Sequence, residues 1–383
     1  MSERPPGVIG IGQTKYSKAR TDVSIPGLVR EAAGRALDDA GLDWGDIDAL
    51  VMGKAPDIFE GVMQPELFLA DALGAAGKPM LRVHTAGSVG CSTANVATDA
   101  VRGGRFQRVL AVAWEKQAEG NAQWGLGGGK SGSMGAGGIF APWVRAYISR
   151  SGAPEHIGWQ VAVKDRLNAV KNPYAHLKLP DITIEKVRDS MMLWDPIHFL
   201  ESCPSSDGAC AIVVADHDTA RRHSTPAWVL STAMRSELGQ FPGRDTVRPQ
   251  AGLDCSAAVY GDAGITNPRE QIDVAELYVP FSWYEPMWLE GHELAAPGEG
   301  WKMTDDGTTA MTGSFPVNPS GGVLSSNPIG ASGMIRFAEA ALQVQGKAGE
   351  HQIEGARVGL AHAYGAMAQY FAMAVLSASP SPW

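Results

Sequence analysis

The chain has 383 residues, 44% hydrophobic and 19% charged, with a formal net charge of −9. That length can bury a sizeable core and suggests two or three domain-sized units of soluble globular character. The acidic balance argues against a binder of the nucleic-acid backbone, which needs a basic stripe, and no apolar run reaches the roughly 18 residues of a membrane span.

The opening MSERPPGVIG carries charge and prolines where a signal peptide needs a long apolar stretch, so a cytoplasmic location is expected. The four cysteines, Cys91, Cys203, Cys210 and Cys255, show no metal-ligand spacing, which fits a reducing compartment without structural zinc.

In chain order, 8–12 reads as a short apolar strand. Ser24 caps a helix with Pro26 in its first turn and Gly41 as its stop. IDALVMG (47–53) is a buried strand, and GCSTANVATDAVRGG (90–104) is a helix with Ala94, Ala97 and Val101 on one face. RVLAVAWEK (108–116) is the next strand. This alternation predicts a mostly parallel sheet covered by helices.

The alternation fails over 117–206, which holds the glycine-rich run WGLGGGKSGSMGAGG, helical pieces and proline-rich turns, and reads as an excursion over the core. GACAIVVA (208–215) returns to buried-strand character. AWVLSTAM (227–234), IDVAELYVP (272–280) and RVGLAHAYG (357–365) are further strands, SGMIRFAEAALQVQG (332–346) is a helix, and FAMAVLSA (371–378) closes the series. The halves share one order of elements, so an internal duplication of an α/β unit is the economical reading. The expected units are 1–116 with 207–223, the excursion 117–206, and 224–383.

Two signals are set aside. GLGGGKSG mimics a phosphate loop, but the required first glycine is Trp124 and no tight strand-to-helix turn surrounds it, so a flexible cover is the better reading. The histidines form no HxxH or HExxH pair, so no metal site is expected. His156, His176, His217, His223 and His351 read as surface or helix-end residues and His198 as a packed one. Trp283 and Trp288 bracket Tyr284 in FSWYEPMW, a candidate wall for a bulky apolar ligand.

Two segments carry a family resemblance. PVNPSGGVLSSNPIGASG (316–333) resembles the thiolase segment that usually carries Gly-His-Pro, and CPSSDGACAIVVA (203–215) resembles the close of the N-terminal half in the sterol-carrier or lipid-transfer branch. The resemblance implies an α/β thiolase fold, a duplicated five-layered αβαβα arrangement with a loop-domain excursion in the N-terminal half. It also implies where the catalytic groups should stand, and here they are changed.

Where the family's nucleophilic cysteine lies in a Cys-x-x-Gly-small-small run, GSVGCST places Gly87, or Ser88 if the register slips by one. Cys91 lies about one helical turn further on and reads as a packer. Cys203, Cys210 and Cys255 read as turn, strand and helix packers. Tyr278-Val279-Pro280-Phe281 stands for His-Asp-Cys-Phe, and Asn327-Pro328 for Gly-His-Pro with one residue deleted. AHAYGAMA, with Tyr364 or Gly365, stands where a second cysteine precedes a glycine cluster.

Without a nucleophilic cysteine no acyl-enzyme forms. The helix N-terminus at Gly87, Ser88 and Gly90 still offers N–H groups to a thioester, with Gly330, Gly365 and Trp283 as further substrate-binding candidates, and Asn327 offers an amide to an enolate oxygen. The chemistry left is a bond change at the α-carbon, and retro-aldol cleavage fits. Tyr364 and Tyr278 are the proton carriers of choice if neighbours lower their pKa, with Tyr284 and His362 as second choices.

The pattern resembles the steroid side-chain-cleaving aldolases of the lipid-transfer branch. That implies a 17-hydroxy steroid CoA ester as substrate, a 17-ketosteroid and propionyl-CoA as products, no cofactor beyond the substrate's CoA, a homodimer, and a small DUF35 partner (an OB-fold with a zinc ribbon). No nucleic-acid or membrane partner is expected. The alternatives are a non-catalytic acyl-CoA- or lipid-binding subunit and a thiolase or acyltransferase using Cys91.

Overall fold

The computed structural model describes residues 4–120, 135–239 and 242–383. The N-terminal half contains β1 (Gly7–Gln13), α1 (Ile25–Ala40), β2 (Ala49–Lys54), β3 (Met80–Val83), α2 (Val89–Arg102) and β4 (Arg108–Lys116). Helices α3 (Gly135–Ser151) and α4 (His156–Lys171) and a small hairpin, β5 (Met192–Trp194) with β6 (Ile197–His198), precede the returning strand β7 (Asp207–Ala215). The C-terminal half contains β8 (Ala227–Ser236), α5 (Gln250–Ala263), β9 (Val274–Glu276), α6 (Tyr284–Gly291), α7 (Ile329–Gln345), β10 (Val358–Gly365) and β11 (Tyr370–Ser377).

The local chemistry sets the ends of α1. The Ser24 hydroxyl accepts the Gly27 N–H at 3.2 Å, Pro26 occupies the first turn, and Gly41 takes a φ of 64° to stop the helix. Its buried face, Leu28, Val29, Ala32, Ala33, Ala36, Leu37 and Ala40, lies against β1, β7 and β4.

Among the described residues nine strands join in the order β3-β2-β4-β7-β1-β8-β11-β10-β9. The halves repeat: β1/β7 and β4/β7 are antiparallel with β2/β4 parallel, and β8/β11 and β10/β11 are antiparallel with β9/β10 parallel. Among the described residues the half-sheets meet through two residue pairs only, Gly7 with Trp228 and Val8 with Ala227. The sheet is therefore mixed, because β7 and β11 return beside their predecessors rather than crossing over a helix. The α1 and α5 helices cover the outer faces. Helices α2 and α7 lie against each other and touch strands of both halves, giving the order αβαβα.

The close approach of α2 and α7 has a cause in the sequence. A β-carbon at Gly90 would meet the Met334 nitrogen at 2.4 Å, and one at Gly333 would meet the Cys91 nitrogen at 2.6 Å. Cys91, wholly buried, packs in this crossing.

Three expectations change. The strand expected over 272–280 is only Val274–Glu276, and 277–280 run on as irregular chain. The glycine-rich run, expected to precede the helical pieces, gives its last residues, Gly135–Gly138, to the start of α3, whereas 125–132, read as a flexible cover, lie outside the described residues. His351, expected at the surface or a helix end, does end a short 3-10 turn (Gly349–His351) but is buried there against Glu339. A second insertion, between β9 and α7, packs on α4: Lys164 pairs with Glu285, and Asn168 and Asn172 donate to the carbonyls of Asn318 and Ser320. The cover over the core is thus built by both halves.

Candidate active site

The N-terminus of α2 opens toward the last residue of β10. A β-carbon at Gly87 would lie 3.0 Å from the Tyr364 carbonyl oxygen and 3.8 Å from the Tyr278 hydroxyl. Gly365 must also lack a side chain, since a β-carbon there would meet the amide nitrogens of Gly87 and Ser88 at 2.5 and 2.7 Å. Gly87, where the resemblance places a nucleophile, lies in a single 3-10 turn (Ala86–Ser88) that leads into α2, holds no side chain and is half-buried. Ser88 is buried, and its hydroxyl turns back to the Thr85 carbonyl at 2.7 Å.

Tyr278 leaves β9 with its N–H donating to His362 Nδ1 at 3.3 Å, and its carbonyl accepts the Trp288 indole N–H at 2.9 Å. Its hydroxyl donates to Asn327 Oδ1 at 3.4 Å, an oxygen that also accepts from Ser332 Oγ at 2.8 Å. Asn327 Nδ2 donates to Cys203 Sγ at 3.2 Å, while its backbone is held by Ser206 Oγ and by Gln117 Nε2 at 2.7 Å. The amide thus orients a tyrosine and a thiol.

The Tyr364 ring lies 5.4 Å from that of Tyr278, edge-on, stacks at 5.7 Å on Tyr284 and meets Trp288 at 4.8 Å. Phe140 of α3 closes the cluster from the cover, at 5.5 Å from Tyr284, 5.9 Å from Phe281 and 6.2 Å from Tyr364. The Tyr284 hydroxyl is buried and has no hydrogen-bond partner among the described residues.

Burial, with Cys203 nearby, raises Tyr278 above the ordinary phenol value. Burial, with the neighbouring tyrosines, does the same to Tyr364, and Tyr284 is raised for the first reason. The lowering that the proton-carrier role called for is therefore reversed: among the described residues the pull of Arg336 on Tyr278 and of Arg244 on Tyr284 is outweighed by desolvation, and all three phenols are neutral at pH 7. Burial also holds His362 well below the usual imidazole range and His292 down to about 3. Cys91 is pushed far up by burial, while Cys203, half-buried, is pushed up to about 11 by burial against the opposing pull of Arg166.

Tyr278, Tyr364, Tyr284, Asn327, His362, Gly87 and Gly365 thus come together. Gly90 and Gly330 stand in close packing. A β-carbon at Gly330 would meet the Trp114 carbonyl oxygen at 2.2 Å. Trp283 turns to Tyr147 and Gly158 in the cover, and Trp288 is the indole at the tyrosines. Cys203, read as a turn packer, is a member of the site because its segment hydrogen-bonds to Pro280 and Asn327. Phe140, Ser332 and Cys203 were missed. Only the position of Cys203 within the quoted 203–215 segment could have pointed to it. Among the described residues no group of three or more His, Cys, Asp or Glu is placed to hold a metal ion, and no helix is long and apolar enough to cross a membrane.

Residues 240–378 match the thiolase C-terminal domain-like family. The chain is 30% identical over 377 residues to an acetyl-CoA acetyltransferase of Methanothermobacter thermautotrophicus, covering 94% of this chain and 96% of that protein. It is 28% identical over 392 residues to sterol carrier protein 2 of Homo sapiens, covering 94% of this chain and 69% of that one. It is also similar to the solved Ltp2-ChsH2(DUF35) aldolase, with a TM-score of 0.83, 27% identity and 97% of both chains covered. The chain belongs to the thiolase superfamily, in its branch of sterol carrier protein 2-like thiolases.

Proposed function

We infer that this protein is a CoA-thioester lyase that cleaves a β-hydroxyacyl-CoA by a retro-aldol reaction. The observation that carries the reading is the side-chain-free position at Gly87, in the single 3-10 turn that leads into α2, where a β-carbon would lie 3.8 Å from the Tyr278 hydroxyl. A thioester carbonyl seated there meets N–H donors at a helix N-terminus and no nucleophile. The Cα–Cβ bond breaks, the electron pair moves onto the thioester as an enolate, and the β-hydroxyl becomes a ketone. The hydroxyl proton ends on the α-carbon, so the reaction needs no external acid or base.

Neutral phenols suit that balance. One takes the hydroxyl proton as it passes its own to the other, and the other passes its own in turn to the α-carbon, so neither ends ionised. Tyr278 and Tyr364 are the two groups, with Asn327 Oδ1 orienting the first. The buried thiol of Cys91, packed on Gly333, speaks against the acyltransferase reading.

The aromatic surroundings of Tyr364 and the likeness to the Ltp2-ChsH2(DUF35) aldolase support a 17-hydroxy steroid CoA ester as substrate, a 17-ketosteroid and propionyl-CoA as products, and a DUF35 protein as partner. A homodimer in the cytoplasm completes the proposal. The test is incubation with β-hydroxyacyl-CoA steroids, with and without a DUF35 partner, followed by mass spectrometry. Ketone and shortened CoA ester should appear in equal amounts without added CoA. An acyl group trapped on a cysteine, or binding without turnover in both mixtures, would sink the reading.

A further inference from the structure

Between β10 and β11 the chain turns through Ala366, Met367 and Ala368 with φ of 50°, 58° and 56°. Three successive residues with side chains in the left-handed region meet a steric penalty that glycine avoids. At these positions the family resemblance leads one to expect a glycine cluster. The turn follows Tyr364-Gly365 directly, so any relaxation in it moves the tyrosine.

One side chain closes over the turn. Arg244 Nη2 donates to the Met367 carbonyl at 2.9 Å and the Ala368 carbonyl at 2.8 Å. Its Nε donates to Glu237 Oε1, and both side chains are nearly buried. Glu237 Oε2 accepts the Ala251 N–H at 2.8 Å at the start of α5, and the Glu237 N–H donates to the Gln369 carbonyl at 2.9 Å. The Gln369 N–H in turn donates to the Gly365 carbonyl at 3.1 Å. The guanidinium also lies 5.8 Å from the Trp143 ring centre on α3, the helix that carries Phe140 onto Tyr364. A forked, permanently charged donor fits two convergent carbonyls and a carboxylate at once.

We propose that Arg244 is a positioning residue, holding the left-handed turn 366–368 closed and thereby fixing Tyr364, whose carbonyl oxygen lies against position 87. The proposal rests on the reading that Tyr364 moves a proton in this site. The alternative is a purely structural clamp, whose loss lowers stability and activity together.

A rescue experiment separates them. Arg244→Ala should lower kcat for a β-hydroxyacyl-CoA at least about tenfold while KM stays within about threefold. Met367→Gly with Ala368→Gly, which removes the steric cost without touching the carbonyls, should leave the rate near wild type. Placed in the Arg244→Ala background, the glycine pair should recover most of the lost kcat. If Arg244→Ala does not fold, Arg244→Met, which keeps the apolar stem and removes every donor to the carbonyls and to Glu237, is read in the same way. An unchanged kcat, or a loss that the glycines leave intact, overturns the proposal.

A second reading needs no turnover. With 3-fluorotyrosine at position 364, the fluorine resonance should shift in Arg244→Ala and return with the glycine pair. A resonance that Arg244→Ala does not move overturns the positioning role. A wild-type protein that cleaves no β-hydroxyacyl-CoA while the resonance behaves as stated sinks the reaction and keeps the clamp.

Discussion

At Gly87 a missing β-carbon decides the chemistry, because the Tyr278 hydroxyl lies 3.8 Å from where that carbon would be. Tyr364→Phe keeps the ring stacked on Tyr284 and deletes only the proton-carrying oxygen, so the variant should bind CoA ester normally and cleave it about 10²–10⁴-fold more slowly. Tyr278→Phe should lose a similar or smaller factor. Because burial raises both phenols, neither ionises below about pH 10, and each variant should lower the plateau of the rate–pH profile without moving a basic limb. Near-wild-type rates in both single variants and the double variant would refute the two-tyrosine relay. Cys91→Ala, in the helix crossing, should stay within a few-fold of wild type in the same assay. A loss of several orders of magnitude with the fold intact would return the cysteine to the mechanism. The tyrosines were legible because motif register fixes the second residue after β9 and the penultimate residue of β10. Cys203 and Phe140 were not, since their approach to Asn327 and Tyr364 depends on packing between segments far apart in the chain.

The elements that position these residues are legible to different degrees. Helix α1 was readable to the residue because Ser24, Pro26 and Gly41 act locally. Strand β9 was overread: 277–280 are apolar and wholly buried, and an apolar buried run looks the same whether or not it pairs. The α2–α7 crossing could not be read at all, because a helical glycine announces no partner. Its cost is nonetheless testable. Gly330→Ala would drive a β-carbon to 2.2 Å from the Trp114 carbonyl oxygen and 2.7 Å from the Ala55 nitrogen, both backbone atoms that cannot swing aside. Overpacking of that kind should destabilise the protein by about 2 kcal/mol or more in urea unfolding. A midpoint equal to wild type would mean that the N-terminus of α7 has slack, and would reopen Gly330 as a substrate contact.

Across the whole molecule the two halves share little strand pairing, so their union rests on α2 and α7 and on buried polar links. One link runs from Gln13 on β1 through Glu339 on α7 to His351 before β10: Gln13 Nε2 donates to Glu339 Oε1 at 2.8 Å, and His351 Nε2 lies 2.8 Å from Glu339 Oε2. Burial pulls the imidazole pKa down, but the facing carboxylate outweighs it and the net shift is upward. Burial likewise works against the carboxylate, yet His351, Gln13 and Arg336 leave Glu339 lowered. A raised histidine stabilises fully below its unfolded pKa, about 6.5, and loses that contribution as pH rises through the folded value. A lowered carboxylate stabilises above its unfolded pKa, about 4.3, and loses it as pH falls. The pair is therefore worth most between about pH 4.5 and 6.5. His351→Gln removes it and leaves a buried carboxylate with a weaker partner, so the variant should be less stable by roughly 3 kcal/mol near pH 5.5. The gap should narrow above the folded pKa of His351, where the wild type also loses the charge. Urea unfolding of both proteins from pH 5 to 9 measures it, and a gap constant across that range would show that the imidazole is neutral throughout and that Glu339 is held by its amide and guanidinium neighbours alone.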